Sequence, residues 1–91
     1  MDKYSKLTDI CKILSADARV QILQLLKQRP LCVLAISDKL DITQGAVSQH
    51  LRILRQAKLV VGEKKGYFVH YRLNEKTLNK WKGRLEKLLT V

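Results

Sequence analysis

The period of the hydrophobic pattern changes once near the middle of this chain, and that change limits the folds open to it. Before residue 58, apolar side chains recur every three or four positions, which is helical spacing, whereas from Val60 to Leu73 they alternate as in a strand. Lys65-Gly66 divides the alternating segment, and Gly tolerates the positive φ of a hairpin turn. On the second strand we expect Val69, Tyr71 and Leu73 on one face, and Phe68, His70 and Arg72 on the other.

Helical spacing predicts helices on both sides of this hairpin. Pro30 ends the second helix because proline disfavours helical backbone in the residue before it. Thr43 can cap the fourth helix through its hydroxyl. In the second helix, Val20, Leu23 and Leu26 share a stripe that Ile22 and Leu25 widen. The predicted segments are Tyr4–Leu14, Asp17–Gln28, a brief extended piece and short helix within Leu31–Leu40, Thr43–Ala57, and a last helix capped by Asn74 that carries Leu78, Trp81, Leu85 and Leu88.

The order of these elements indicates a particular architecture. The third and fourth helices are joined by a tight connection at Asp41-Ile42-Thr43, and a basic hairpin follows them. Two short helices with a tight turn and a two-stranded hairpin form the winged helix-turn-helix pattern. We therefore expect a mainly α fold with a small β-hairpin, organised as a single winged helix-turn-helix domain over residues 1–91.

The charge of the chain indicates an anionic partner. Lys and Arg number 18 against 8 Asp and Glu, which gives a net charge of +10 and an isoelectric point near 10.0. A basic domain attracts nucleic acid first and anionic membrane second. The alternative is a basic module for a protein or membrane surface, in which the last helix sets cations opposite Leu and Trp. Those cations are Lys76, Lys80, Lys82, Arg84 and Lys87.

Other classes of protein find little support. The chain has no phosphate-binding glycine loop, nucleophile elbow, metalloprotease motif or clustered acids, so we expect neither an enzyme nor a cofactor. No apolar run approaches the length of a membrane span, and the first residues are too polar for a signal peptide. We therefore expect a cytoplasmic protein with reduced cysteines.

The predicted fourth helix has a face suited to the major groove. Small and amide side chains lie toward its start and cations lie further along, so bases could be read at one end and phosphates met at the other. His50 lies beside this face and either contacts DNA or satisfies a local hydrogen bond. The alternative is an ordinary solvated polar face. The candidate contacts are Thr43, Gln44, Gly45, Ser48, Gln49, His50, Arg52 and Arg55.

The tip of the hairpin provides a second candidate contact. Lys64, Lys65 and Tyr67 are placed like a wing that lies on the DNA backbone or enters the minor groove. The alternative is an ordinary charged hairpin, in which lysines discourage pairing between exposed strand edges.

Four segments of the chain resemble a known family. KILSADARVQIL at residues 12–23 looks like the family's LSDPTRLRIL, and LCVL at 31–34 resembles LCVC. TQGAVSQHL at 43–51 is similar to SQSTVSHHL, and GYFVHYRL at 66–73 to GRWVYYRL. In this order, and over nearly the whole chain, they resemble the winged helix-turn-helix repressors of the ArsR/SmtB type.

This resemblance implies a homodimeric repressor that binds double-stranded DNA at a palindromic operator. Residues 4–14 and 75–89 would form the dimerisation helices, although these apolar stripes could instead pack on each other within one chain. The family's matching positions place base and backbone contacts at Gln44, Gly45, Ser48 and Gln49. A membrane partner is not expected, and no effector is assigned.

The chain departs from the family at its metal sites. Members of the family usually release DNA when a metal binds, but here Leu34 replaces the second cysteine of LCVC, and the last helix has no Asp or His. No metal site is therefore predicted. Cys11 and Cys32 could instead sense thiol-reactive species or a soft ion. The alternative is that each is a small buried hydrophobe.

Overall fold

The computed structural model describes residues 6–91, and within them the predicted order of elements is confirmed. The fold is mainly helical, with one antiparallel two-stranded hairpin near its C-terminal end. It has the winged helix-turn-helix arrangement expected from the sequence. The elements are α1 (Leu7–Ile13), α2 (Asp17–Leu26), α3 (Val33–Leu40), α4 (Gln44–Gln56), β1 (Val60–Lys65), β2 (Phe68–Leu73) and α5 (Glu75–Leu89).

The first two helices differ from the prediction at their ends and in one buried position. Tyr4, at the predicted start of α1, lies outside the described residues. Helix α2 ends at Leu26 rather than Gln28. Its buried stripe is centred on Ile22, which is fully buried, whereas the predicted stripe residue Val20 is 37% exposed. The apolar run of α2 is wider than one face of a helix can bury, so its edge remains in solvent.

The core draws on every helix and on the start of the hairpin. It is aliphatic apart from Trp81 of α5, and among residues 6–91 no polar or charged side chain is buried. A core of this kind stabilises the fold chiefly by removing apolar surface from water. Its largest fully buried side chains are Ile10, Ile22, Ile36, Leu51, Leu54, Leu59, Val47 and Val60.

The turn between α3 and α4 is held by side chains. The hydroxyl of Ser37 donates to the Ile42 carbonyl at 2.5 Å, and the Ile42 N–H donates back to the Ser37 carbonyl at 3.3 Å. Asp41 reverses the chain in the left-handed region at φ 53°, where Asp is tolerated better than most residues. The Thr43 side chain then caps α4, accepting from the Ala46 N–H at 3.1 Å. The predicted Thr43 cap is confirmed, and the turn fixes how α4 leaves α3.

The hairpin turn lies one residue later than predicted. Lys65 pairs with Phe68, so the two turn residues are Gly66 and Tyr67 rather than Lys65 and Gly66. Gly66 has φ +64° at the first turn position, where a two-residue hairpin of type II′ requires glycine. Lys65 remains in the strand because its extended backbone can pair, whereas a positive φ would strain its side chain.

The predicted extended piece before α3 is confirmed. Leu31 forms an isolated antiparallel bridge with Tyr71, in which each N–H donates to the other residue's carbonyl, at 3.1 and 2.8 Å. The face assignment on β2 is consistent with Gly62, because a Cβ built there would lie 3.1 Å from Val69 and 3.2 Å from Tyr71. The bridge between Leu31 and Tyr71 anchors the wing to the segment that begins the helix-turn-helix unit.

The last helix is only partly covered by its own chain. Asn74 occupies the N-cap position of this helix, but the predicted side-chain cap is absent, because its side chain makes no capping hydrogen bond. Trp81 is buried and α5 contacts α1, so part of the α5 stripe packs within the chain. Leu88 and Leu89 remain 57% and 74% exposed. An apolar groove of about 420 Å³ runs along this helix, lined chiefly by Leu14, Leu59, Leu78, Trp81, Leu85 and Leu89.

Candidate nucleic-acid interface

Helix α4 presents one polar face to solvent. Val47, Leu51 and Leu54, spaced for one side of a helix, are buried. This burial leaves the opposite side of the helix facing outward. Of the predicted contacts on the helix and its cap, only His50 is partly buried. The exposed ones are Thr43, Gln44, Gly45, Ser48, Gln49, Arg52 and Arg55.

The N-terminal end of α4 is open toward an anion or a base edge. The first turn contains no acidic side chain, and the unpaired N–H groups of a helix start carry a partial positive charge. A Cβ built on Gly45 would meet only the Thr43 Oγ1, at 4.0 Å, so the fold itself leaves that position open. Short side chains at this end allow the backbone to approach a partner closely.

His50 is placed differently from the other candidates. It is half-buried, and its Nδ1 lies 3.4 Å from the Nη1 of Arg19 on α2. Because arginine can only donate, a hydrogen bond between these two atoms requires an unprotonated Nδ1, with the proton of the neutral ring on Nε2. Partial burial, and after it the charge of Arg19, lower the pKa of His50 below its ordinary value of 6.5. The structure therefore places His50 in a contact between two helices.

The tip of the wing is basic and fully accessible. Lys64 and Lys65 are exposed, and Tyr67 at the turn has no cover from the chain. Behind the tip, Arg72 forms an ion pair with Glu63 across the strands. The hydrogen bond from Arg72, and then its charge, lower the pKa of the Glu63 carboxyl below 4.5. Glu63 is thus engaged with Arg72.

The cations of the two surfaces are available to a partner. Within residues 6–91 the ion pairs are Arg72–Glu63 and Lys82–Glu86, so the cations of α4 and of the wing tip have no carboxylate partner there. These four are Arg52, Arg55, Lys64 and Lys65. Exposed lysines and arginines are the side chains with which DNA-binding proteins most often contact phosphates.

The two cysteines lie in different surroundings. Cys11 is exposed on α1, so the alternative that it is a buried hydrophobe is wrong for this residue; α1 buries Ile10 and Ile13 instead. Cys32 is partly buried in the N-cap position of α3. Leu34, in the position of the family's second cysteine, is 46% exposed and has no ligand atom. Across the described part of the chain, no three His, Cys, Asp or Glu side chains gather as a metal cluster.

Some residues that shape this interface were not predicted. Arg19 donates from Nε to the Ile13 carbonyl at 2.6 Å and from Nη2 to the Lys12 carbonyl at 3.2 Å. Ser37, which holds the turn before α4, was also missed. Arg19 lies in the segment that resembles the family, but its contacts join three helices, so no local pattern could have assigned them.

A recognition helix preceded by a short helix and tight turn, with a basic wing behind it, defines a winged helix-turn-helix DNA-binding protein. The family model described as "Bacterial regulatory protein, arsR family" matches residues 16–61, from the start of the α2 region into β1. The chain therefore belongs to the ArsR family of bacterial regulatory proteins, and it is a transcriptional regulator rather than an enzyme.

Relatives and a solved structure agree with this assignment. The transcriptional repressor SdpR of Bacillus subtilis is 33% identical over 79% of this chain and 80% of its own length. The repressor SmtB of Mycobacterium tuberculosis is 40% identical over 71% of this chain but 48% of its own length. A homodimeric winged helix-turn-helix DNA-binding domain from Mycobacterium bovis superposes with a TM-score of 0.73 at 27% identity, covering 93% of this chain and 83% of that one.

No helix within residues 6–91 is long and apolar enough to cross a membrane.

Proposed function

We propose that this protein is a homodimeric repressor that binds a palindromic DNA operator through α4 and the wing. The observation that carries the proposal is that the α4 polar face and the wing tip are both exposed. The cations on these two surfaces have no carboxylate partner within residues 6–91. The relatives SdpR and SmtB are named as repressors, and repression follows when a bound protein occupies DNA that the transcription machinery needs.

The two halves of α4 have different roles in this proposal. Gln44, Ser48 and Gln49 offer amide and hydroxyl groups that can pair with base edges in the major groove. Arg52 and Arg55 lie further along the helix and meet phosphates. Lys64, Lys65 and Tyr67 of the wing contact the backbone or the minor groove beside the site, while Thr43 and Gly45 allow the helix start to approach the DNA closely.

The dimer is formed by the terminal helices. Leu89 is exposed beside the apolar groove of α5, and Leu88 is exposed on the same helix. Covering such a surface with a second copy removes it from water. The homodimeric state of the Mycobacterium bovis relative supports this arrangement. A two-fold dimer presents two α4 helices to successive major grooves, which is why we expect an operator with inverted half-sites.

Regulation of this repressor does not use the family's Cys-x-Cys metal site, because Leu34 cannot ligate a metal. Thiol chemistry at Cys11 and Cys32 is the sensing mode that this chain's residues would allow. In the single chain, Cys11 is exposed and Cys32 is partly buried. If Cys11→Ser and Cys32→Ser leave the response to every candidate inducer intact, this mode of sensing is excluded.

Selection of bound duplexes from random DNA tests the proposed function. We expect an inverted repeat, and its affinity should fall steeply with salt because each neutralised phosphate lowers the log–log slope by about 0.9. The competing class is a basic module for membranes or proteins. Absence of any sequence preference, together with binding to anionic lipid vesicles, would favour that class and contradict the repressor.

A further inference from the structure

Arg19 lies outside the proposed DNA-contact surface, yet it joins three helices. We propose that Arg19 is a positioning residue: through His50 it fixes the orientation of α4 relative to α1, and hence relative to the second copy of the chain. The inference rests on the proposed function, since it concerns how two recognition helices are held for one operator.

Each nitrogen of the guanidinium has a different partner. Nε and Nη2 donate to the Ile13 and Lys12 carbonyls at the end of α1, at 2.6 and 3.2 Å, and Nη1 lies 3.4 Å from the His50 Nδ1. The last carbonyls of a helix have no partner within it and favour a nearby cation. Because the guanidinium is planar and rigid, contacts on one side fix the direction of the other.

The contact reaches α4 at the edge of its exposed face. His50 is half-buried between the exposed Gln49 and the buried Leu51. The apolar packing of α4 is non-directional, so it tolerates small rotations of the helix better than a hydrogen bond does. The Arg19 contact therefore restrains rotation of α4 about its own axis, which is the motion that would misdirect Gln44 and Gln49.

Rotation of α4 affects specific and non-specific DNA binding differently. Base-edge hydrogen bonds need both recognition helices in register with two half-sites. Binding to unrelated DNA depends mainly on the number of cations near phosphates, which a small rotation leaves unchanged. A positioning role thus predicts a loss of specificity, whereas a role in stability alone predicts a proportional loss of both affinities.

The ratio of the two affinities tests the inference. The probes are the duplex that the wild-type protein selects from random DNA and a scrambled duplex of the same composition. For Arg19→Ala we expect the ratio of specific to non-specific affinity to fall about tenfold. Arg19→Lys keeps the charge but not the planar guanidinium, so we expect it to lower the ratio as well. It replaces Arg19→Ala in the test if the alanine variant fails to fold. Lys27→Ala, which removes an exposed cation at the end of α2, is the matched control and leaves the ratio unchanged.

Two results would overturn the positioning role. In one, the ratio is unchanged in both Arg19 variants because neither affinity changes; in the other, the ratio is unchanged because specific and non-specific affinity fall by the same factor. A wild-type protein without sequence preference would instead contradict the proposed function itself, and the inference would fall with it. The outcomes are therefore distinguishable.

The pH dependence of binding provides a second readout. Arg19 of α2 is the charged group that faces His50, and α1 contributes the carbonyls that Arg19 binds. A protonated His50 cannot accept from Arg19. Between about pH 7.5 and about pH 5.5, specific affinity should fall more in the wild-type protein than in His50→Gln, whose amide oxygen still accepts. If His50 instead met phosphate directly, acid would strengthen wild-type binding relative to the variant, and that result would also overturn the inference.

Discussion

The Nη1 atom of Arg19 and the Nδ1 atom of His50 lie 3.4 Å apart and join helices whose contacting residues are 31 positions apart in the chain. Because Arg19 only donates, the contact requires a neutral imidazole. One side chain of the polar α4 helix thereby contacts another helix, while Gln49 beside it is exposed. The stability of the domain and the placement of its recognition helix are linked at this point.

The stability of the domain should depend on the charge of His50. Its pKa in the folded protein lies below the ordinary 6.5, so below pH 6.5 the unfolded chain binds more protons than the folded one. The contribution of the neutral His50 to the free energy of unfolding is complete above pH 6.5, and it is lost as the pH falls through the pKa of His50 in the folded protein. We expect the free energy of unfolding to decline more steeply with acid in the wild-type protein than in His50→Gln.

Urea unfolding measured over a series of pH values checks this prediction. Glu63 provides an internal comparison, because its pKa is lowered from 4.5 and its contribution is lost only at more acid pH. Parallel curves for the wild-type protein and His50→Gln between neutral pH and the Glu63 range would contradict the role assigned to His50.

Gln44 and Lys65 should differ in what they contribute to DNA binding. Gln44→Ala removes a proposed base-edge contact, so it should cost about 1–3 kcal/mol on the selected operator and relax its sequence preference. Lys65→Ala removes a proposed phosphate contact, so it should weaken all sequences alike and reduce the salt slope by about 0.9. Titration of the operator and a scrambled duplex at several salt concentrations separates the two effects. A silent Gln44→Ala would show that bases are not read from the start of α4.

Leu89 should be needed for dimerisation and not for the fold of one copy. It lines the apolar groove but is 74% exposed, so Leu89→Glu leaves the core intact. In the dimer the charge would be buried without a partner, and we expect the dimer dissociation constant to rise at least about tenfold. Sedimentation equilibrium measures it. Asn79→Glu introduces the same charge at an exposed α5 position outside the groove; an equal effect there would argue against this interface.

The left-handed backbone conformation of Lys58 should lower the stability of the wild-type domain. It follows the C-cap of α4 at φ 63°, and the Leu59 N–H bonds the Leu54 carbonyl at 2.9 Å in the manner of a Schellman motif. Lys58→Gly should raise the free energy of unfolding by about 0.5–1 kcal/mol, because glycine relieves the left-handed strain.

A matched lysine provides the control for that substitution. Lys27 caps α2 with helical backbone at φ −62°, so Lys27→Gly should lower the free energy of unfolding through the greater entropy of the unfolded chain. Chemical unfolding of both variants measures the difference. If both glycine variants are destabilised equally, the left-handed conformation of Lys58 is not the cause of the strain.

Helix α4 and the hairpin can be predicted from the sequence because local patterns specify them. The spacing of Val47, Leu51 and Leu54 already determines which side chains of α4 face outward, and Thr43 caps the helix within its own turn. The alternation after Val60 likewise specifies the hairpin. The predicted turn lay one residue too early, because the sequence allows either Lys65 or Tyr67 to be the second turn residue beside Gly66.

Tertiary structure alone decided which polar residue is committed to the fold. The neighbours of His50 along α4 do not reveal this contact, and only the packing of α2 against α4 brings the Arg19 Nη1 within 3.4 Å of the His50 Nδ1. The exposure of Cys11 and Val20 was decided in the same way, since an apolar residue at the edge of a stripe is buried only where another element covers it. Periodicity determines the faces of an element, whereas long-range packing determines which face meets which partner.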